Sequence, residues 1–312
     1  GDLMAKSTEQ NNKPYWIGID WGTTNLRYWV ISKETGDIVG AEEKQQGIKS
    51  IVDGAFEDVI LEMLVSYDFK QEVIDILCCG MIGSKQGWRE IDYVQSPCSP
   101  QLVKSVVKVS TKDPRLNVRI IPGLKQSQIP DIMRGEETQI LGFLNKNPDF
   151  EGVMCFTGTH TKWVKIGGGE VIFFETFMTG EMFDVLSNHS IIKYSASSGK
   201  INMNEAKEAA LEIFDKPHKF SSHLFKLRAN NLLNHSPATE TRSRLSGYTI
   251  GLEIAGSRHF WLGNNVIIVG THPVAEIYSE VLKKQGVKSR IFLSNELSLN
   301  GLKVTYQSLL ND

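Results

Sequence analysis

YWIGIDWGTTNLRYWVISKETGDIV (residues 15–39) sets one acid, Asp20, between an apolar strand and a Gly-Thr turn. Ile17 and Ile19 alternate with Gly18 before it. Leu26, Tyr28 and Val30 alternate on the return, and Thr35-Gly36-Asp37 turns the chain into a third run. The pattern predicts a three-stranded antiparallel meander whose first turn is Trp21-Gly22-Thr23-Thr24-Asn25. Such a turn offers backbone N–H groups and hydroxyls at one spot, which suits a phosphate. A carboxylate beside a phosphate is repelled unless a cation lies between them, and Mg²⁺ takes that place in nucleotide sites. Taken alone, the stretch reads equally as a hairpin whose Asp accepts turn hydrogen bonds.

Residues 152–177, GVMCFTGTHTKWVKIGGGEVIFFETF, repeat the plan: an apolar strand, a Gly-Thr turn, and two more strands about a glycine-rich turn at 167–169. Aligned on the turns, Gly22 matches Gly158, Thr23 matches Thr159 and Asn25 matches Thr161. Asp20 matches Phe156, so only the first copy carries the acid. A duplication of this kind implies two similar domains; chance likeness of two meanders is the alternative. A third strand-then-Gly-Thr turn stands at Gly270-Thr271. Three such turns suit a nucleotide, two for its phosphates and the third against its nucleoside.

The chain has 312 residues, 41% hydrophobic and 22% charged, with a formal net charge of −2. That length suits two domains, each with its own core. Near-neutral charge removes any global argument for nucleic acid or an anionic membrane. Cys78, Cys79, Cys98 and Cys155 show no CxxC spacing, and Cys78-Cys79 lies in an apolar run that suits buried, reduced thiols. The polar opening GDLMAKSTEQNNK lacks a signal peptide's apolar core and reads as a frayed tail. No run approaches the ~20 apolar residues that span a bilayer. A soluble, cytoplasmic protein is expected.

Helical spacing marks 55–67, 130–146, 179–192, 201–214, 223–233, 239–261, the stretch after Thr271, and 299–310. Strands are expected at 72–80, 117–123, before Gly270, and at 289–295; residues 102–110 suit either a strand or a short helix. The alternation makes the class α/β. The domains are expected at 14–125 and 126–312, with the last helix able to pack back on the first.

At this point the residues reach a family. GIDWGTTNLRYW, GMIGSKQGW, IPGLKQSQIPDIMRGEETQILG, FTGTHTKWV, TFMTGEMFDVLSNHSII and VGTHPVAEIY resemble the 2-dehydro-3-deoxygalactonokinase family, within the sugar kinase, Hsp70 and actin superfold. RGEETQ, GTHTKW and TFMTGE are its more specific parts. The resemblance implies two RNase H-like (actin-like ATPase) domains facing each other across a nucleotide cleft. It also implies ATP and Mg²⁺ as cofactors, and transfer to the 6-hydroxyl of 2-dehydro-3-deoxygalactonate in galactonate catabolism.

By that resemblance Asp20 holds Mg²⁺ through water. Gly22, Thr23, Thr24 and Asn25 form the first phosphate turn, and Gly158, Thr159, His160 and Thr161 the second. Gly270 and Thr271 belong to the adenosine pocket, although His272 and Pro273 replace the small residues that usually follow this glycine. In related hexokinase-type enzymes the catalytic acid opens the helix before the second phosphate turn, which here offers Glu136 and Glu137. Adjacent helical residues diverge by about 100°, and Gly135 leaves room beside Glu136, which is favoured as base. Both glutamates also suit a plain helix N-terminus.

A sugar acid needs cations, and Lys85, Arg134 and Lys162 beside glycine turns are the candidates, ahead of Arg89; Glu181 is a further substrate contact. Singly, each cation also reads as a surface charge. Trp21, Trp88 and Trp163 border the turns, as cleft walls or as core. The partner expected is a small-molecule sugar acid, with no nucleic acid or membrane; a homodimer is left open. The alternatives are a kinase for another sugar acid or amino sugar, and an actin- or Hsp70-like ATPase switch, which needs no acid-plus-cation set.

Overall fold

The alternation about Ile17 and Ile19 becomes β1 (Tyr15–Trp21), which pairs antiparallel with β2 (Leu26–Ser32), and β2 with β3 (Ile38–Lys44). The computed structural model describes residues 14–67, 69–196 and 198–312; the opening tail lies outside them. Helix α1 (Phe56–Val65) buries Phe56, Val59, Ile60, Met63 and Leu64, one stripe at helical spacing, against this meander. Then β4 (Ile74–Gly80) returns parallel to β1. After a short β5 (Val94–Gln95), the run at 102–110 is both things the pattern allowed, a 3₁₀ turn (Val103–Ser105) followed by β6 (Val107–Val109). With β7 (Leu116–Ile120), the sheet order is β3-β2-β1-β4-β7-β6.

The helix expected over 130–146 is shorter. Asp131–Met133 is a strand, β9, paired with β8 (Leu124–Gln126), and α2 (Glu136–Lys146) starts only after Gly135. Gly135 has φ +115°, which L side chains avoid, so the chain breaks direction there.

The second meander is β10 (Gly152–Phe156), β11 (Thr161–Gly167) and β12 (Glu170–Phe177). Helices α3 (Thr179–His189), α4 (Lys193–Ala196), α5 (Met203–Asp215), α6 (Phe220–Asn234) and α7 (Ala238–Gly256) follow; the helix expected over 239–261 ends at Gly256, with a separate α8 (Arg258–Trp261). Then come β13 (Val266–Val269), α9 (His272–Lys284), β14 (Ser289–Phe292) and α10 (Ser294–Asn311). The sheet order is β12-β11-β10-β13-β14. Both sheets therefore share one plan: an antiparallel meander, then two strands parallel to its first. This is the RNase H-like plan of actin-like ATPase domains, present twice.

The two units are residues up to Asp149 with Asn295–Asp312, and Phe150–Ser294. The division thus falls after α2, later than the 125/126 junction read from the sequence. Residues 126–149 stay with the first unit because β9 pairs with β8 and α2 packs tightly on α10. A Cβ at Gly142 would overlap the Leu297 carbonyl, so the two helix backbones are nearly in contact. Helix α10 also lies against β1, with Tyr306 stacked on Trp16 at 4.0 Å and donating to Asp75.

Candidate active site

In the first unit, Asp20 pairs with Cys79 across the parallel β1–β4 ladder. It stands where these strands end, the edge at which α/β sheets receive ligands. Its Oδ2 accepts a 2.8 Å bond from Ser298 of α10. Burial raises the Asp20 carboxyl above its ordinary range, against the bonds from Ser298 and the Cys79 thiol and the charge of Arg27. The adjoining turn is held from behind. Gly22 donates to the Asn25 carbonyl, while the carbonyls of Thr24, Gly22 and Thr23 accept from the backbone of Gly47, Ile48 and Lys49 at 2.9–3.0 Å. Thr23, Thr24 and Asn25 are left exposed.

Gly135 brings the start of α2 to the same edge, since a Cβ on it would stand 3.4 Å from Gly80 Cα. The two glutamates then diverge. Glu137 is fully buried, and both its oxygens accept from Gly135 N–H at 2.9 and 2.7 Å. Burial, then the neighbouring Glu136 charge, push its carboxyl well up. Glu136 is only half-buried, and its Oε2 accepts from Arg134 N–H at 3.1 Å. The Cys79 thiol, pushed up by burial, also feels both Asp20 and Glu137, so the acids gather about the end of β4.

The cations separate. Lys85 is exposed. Arg89 is exposed but donates to the Lys108 carbonyl. Arg134 is 7% exposed, donates from Nη2 to the Ile91 carbonyl at 2.8 Å and lies 4.2 Å over the Tyr93 ring, while its Nε and Nη1 are buried with no hydrogen-bond partner among the described residues. In the second unit Lys162 is buried and donates to Thr176, its ladder partner, at 2.8 Å.

Gly158, Thr159 and His160 of the second turn are exposed, but Thr161 is fully buried. The reason is register. Six residues (21–26) separate the paired Asp20 and Arg27, whereas five (157–161) separate Phe156 and Lys162. With Phe156 set against Asp20, Thr161 falls opposite the buried Leu26 and not opposite Asn25, because a one-residue change reverses the face. Its hydroxyl lies 3.3 Å from Tyr278 Oη, away from the turn. Helix α3 clamps the turn: Glu181 N–H donates to the Thr159 carbonyl, and a Cβ on Gly180 would come 2.5 Å from the Gly158 carbonyl oxygen. The Glu181 carboxylate lies 3.3 Å from His160 Nε2, so it meets the turn.

Gly270 and Thr271 follow β13, beside Thr157, whose N–H and hydroxyl both donate to the Val269 carbonyl. Thr271 and His272 are exposed, and Pro273 sits in the first turn of α9, where its missing N–H costs nothing. Trp21 and Trp163 are core residues and not walls, each with its indole N–H bonded inward, to the Gln46 carbonyl and to Glu253. Trp88 is half-buried and stacks on Phe56. Sequence reasoning missed Ser298 and Glu253. Neither lies in a turn motif, and only packing of distant helices brings them to the site elements.

The donor set fits a Mg²⁺ ion held mostly by phosphate and water, which requires one or two carboxylates. Asp20 supplies one beside an exposed hydroxyl turn, and the described residues hold no cluster of three or more His, Cys, Asp or Glu that would make a protein cage.

The family model described as 2-keto-3-deoxy-galactonokinase matches residues 20–305. A protein of Rhizobium meliloti (strain 1021), named probable 2-dehydro-3-deoxygalactonokinase, is 31% identical over 95% of this chain and 97% of its own. The 2-dehydro-3-deoxygalactonokinase of Escherichia coli (strain K12) is 32% identical over 87% of this chain and 90% of its own. A crystal structure from Sinorhizobium meliloti, assigned to the same kinase, has a TM-score of 0.87 at 30% identity, covering 95% of this chain and 99% of that one. By its fold, its turns and these relatives, the chain belongs to the 2-keto-3-deoxy-galactonokinase family.

Proposed function

We propose that the chain is an ATP-dependent kinase that phosphorylates the 6-hydroxyl of 2-dehydro-3-deoxygalactonate. The observation that carries the reading is the meeting of Asp20, the turn with its exposed residues 23–25 and the start of α2, which carries Glu136, at the ends of β1 and β4. Phosphoryl transfer is mostly positioning and charge stabilisation, with one carboxylate near the attacking hydroxyl. In this reading Asp20 holds Mg²⁺ through water, and the ion, when bound, neutralises charge on the phosphoryl oxygens. The 22–25 turn and Gly158, Thr159 and His160 hold phosphates; Gly270 and Thr271 take the adenosine. Glu136 accepts the proton of the 6-hydroxyl. Glu137, bonded to Gly135, holds the residue that aims Glu136. Lys85, exposed near the same edge, supplies a cation for the sugar carboxylate.

A coupled assay of ADP release over a panel of sugar acids and neutral hexoses, with Mg²⁺ or with EDTA, tests this. Metal-dependent turnover favouring 2-dehydro-3-deoxygalactonate is expected. Equal turnover of a neutral hexose, or turnover in EDTA, contradicts it.

A further inference from the structure

Glu253 lies on α7, 3% exposed, in the second unit. Its Oε1 accepts from the Thr179 hydroxyl and, at 2.8 Å, from Tyr278 Oη; its Oε2 accepts from Trp163 Nε1 at 2.9 Å. Tyr278 Oη in turn lies 3.3 Å from Thr161 Oγ1. All these side chains are buried. A carboxylate in such a place is costly unless its oxygens are satisfied, and apolar residues would fill the space more cheaply.

The donors are not arbitrary. Thr161 and Trp163 open β11, the strand that leaves the second phosphate turn. Thr179 opens α3, whose next two residues clamp that turn through Gly180 and the Glu181 N–H. Tyr278 is on α9, the helix that follows directly on Gly270-Thr271. Each segment of the second unit to which the nucleotide is assigned therefore runs to this one carboxylate. We infer that Glu253 is a positioning residue that holds the phosphate turn and the adenosine helix in the mutual geometry one ATP requires, without touching ATP itself.

Removing the acceptor leaves three buried donors competing for water. The turn and the helix then keep their own folds but lose the tie between them. The effect should fall on nucleotide affinity and leave sugar-acid affinity alone, because Glu136 and Lys85 belong to the first unit.

This inference rests on the kinase reading, and the test separates the two. A non-hydrolysable ATP analogue with Mg²⁺ is titrated calorimetrically into the full chain, as wild type, Glu253→Gln and Trp163→Phe, and KM for the sugar acid is measured alongside. In Glu253→Gln the amide NH₂ cannot satisfy all three donors, and the analogue Kd should rise about tenfold or more, as for loss of hydrogen bonds to a charged group. Trp163→Phe removes one donor and should raise it about threefold. Sugar-acid KM should stay within about twofold in both. A wild type that does not bind the analogue sinks the kinase reading itself. A wild type that binds, with cooperatively melting variants that bind equally well, overturns the role of Glu253, as do parallel rises in analogue Kd and sugar-acid KM. If Glu253→Gln does not fold, Trp163→Phe decides alone.

Discussion

Asp20 has one oxygen bonded to Ser298 and a carboxyl raised by burial, so its ionised form is held at some cost beside the exposed turn residues 23–25. Asp20→Asn keeps an acceptor for Ser298 and removes the charge. Turnover should fall about 100-fold or more with the fold intact, since metal-assisted charge stabilisation is worth several kcal/mol; kcat beside a thermal melt checks this. For the glutamates, Glu136→Gln should lower kcat about 10²–10⁴-fold with little change in KM for ATP. Glu137→Gln should be milder in kcat, because that carboxylate faces Gly135, and it should instead alter the pH profile of stability. The Glu137 carboxyl is raised well above 4.5, so the native state binds more protons than the unfolded one above that pH. Its contribution to stability is therefore lost as pH rises from 4.5 towards the folded value, and Gln has no proton to lose. The Tm of Glu137→Gln relative to wild type should increase from pH 5 to pH 8. A constant difference would show that the acid does not titrate between the folded and unfolded states.

Among the elements, α10 is the one whose placement carries most for the first unit. It brings Ser298 to Asp20, stacks Tyr306 on Trp16 and closes on α2 at Gly142. Burial alone would raise the Asp75 carboxyl, but the bonds from Tyr306 and Asn117 and the Lys33 charge outweigh it and hold it below the ordinary range. That clamp contributes above pH 3.8 and is lost as pH falls through the folded value. Tyr306→Phe should cost about 1.5–3 kcal/mol at neutral pH, as for a bond to a charged acceptor, and less at pH 3; urea denaturation at both pH values measures it. In the second unit, Gly180→Ala would push α3 off the turn at 158–160; if that turn holds phosphates as proposed, KM for ATP should rise with little effect on KM for the sugar acid. Helix α1 was readable from its apolar stripe. Strand β9 was not, because Ile132 and Met133 fit a helical pattern equally, and only the turn at Gly135 and pairing with β8 decide between them.

Over the whole molecule, a net charge of −2 gives no general attraction for an anion, so acid selectivity has to come from placed cations. Of the candidates, Lys162 is buried and bonded within its own unit, and Arg134 is buried with one bond to the Ile91 carbonyl, whereas Lys85 is exposed. Lys85→Met should lower kcat/KM for the sugar acid by about one to two powers of ten, the worth of a charge-assisted bond, and leave slow turnover of a neutral hexose unchanged. An equal loss on both substrates would assign Lys85 to ATP or to the fold. The duplicated plan and the acid present in one copy only were legible in residues 15–39 and 152–177, and the family motifs in these and four further blocks, because strand alternation and turn chemistry are local properties of the chain. Three things were decided only by tertiary structure: the division after α2, the inward turn of Thr161 and the carboxylate of Glu253. Each depends on register or on packing between segments far apart in sequence, and a side chain's partners there are set by which backbone lies against it, which no local pattern encodes.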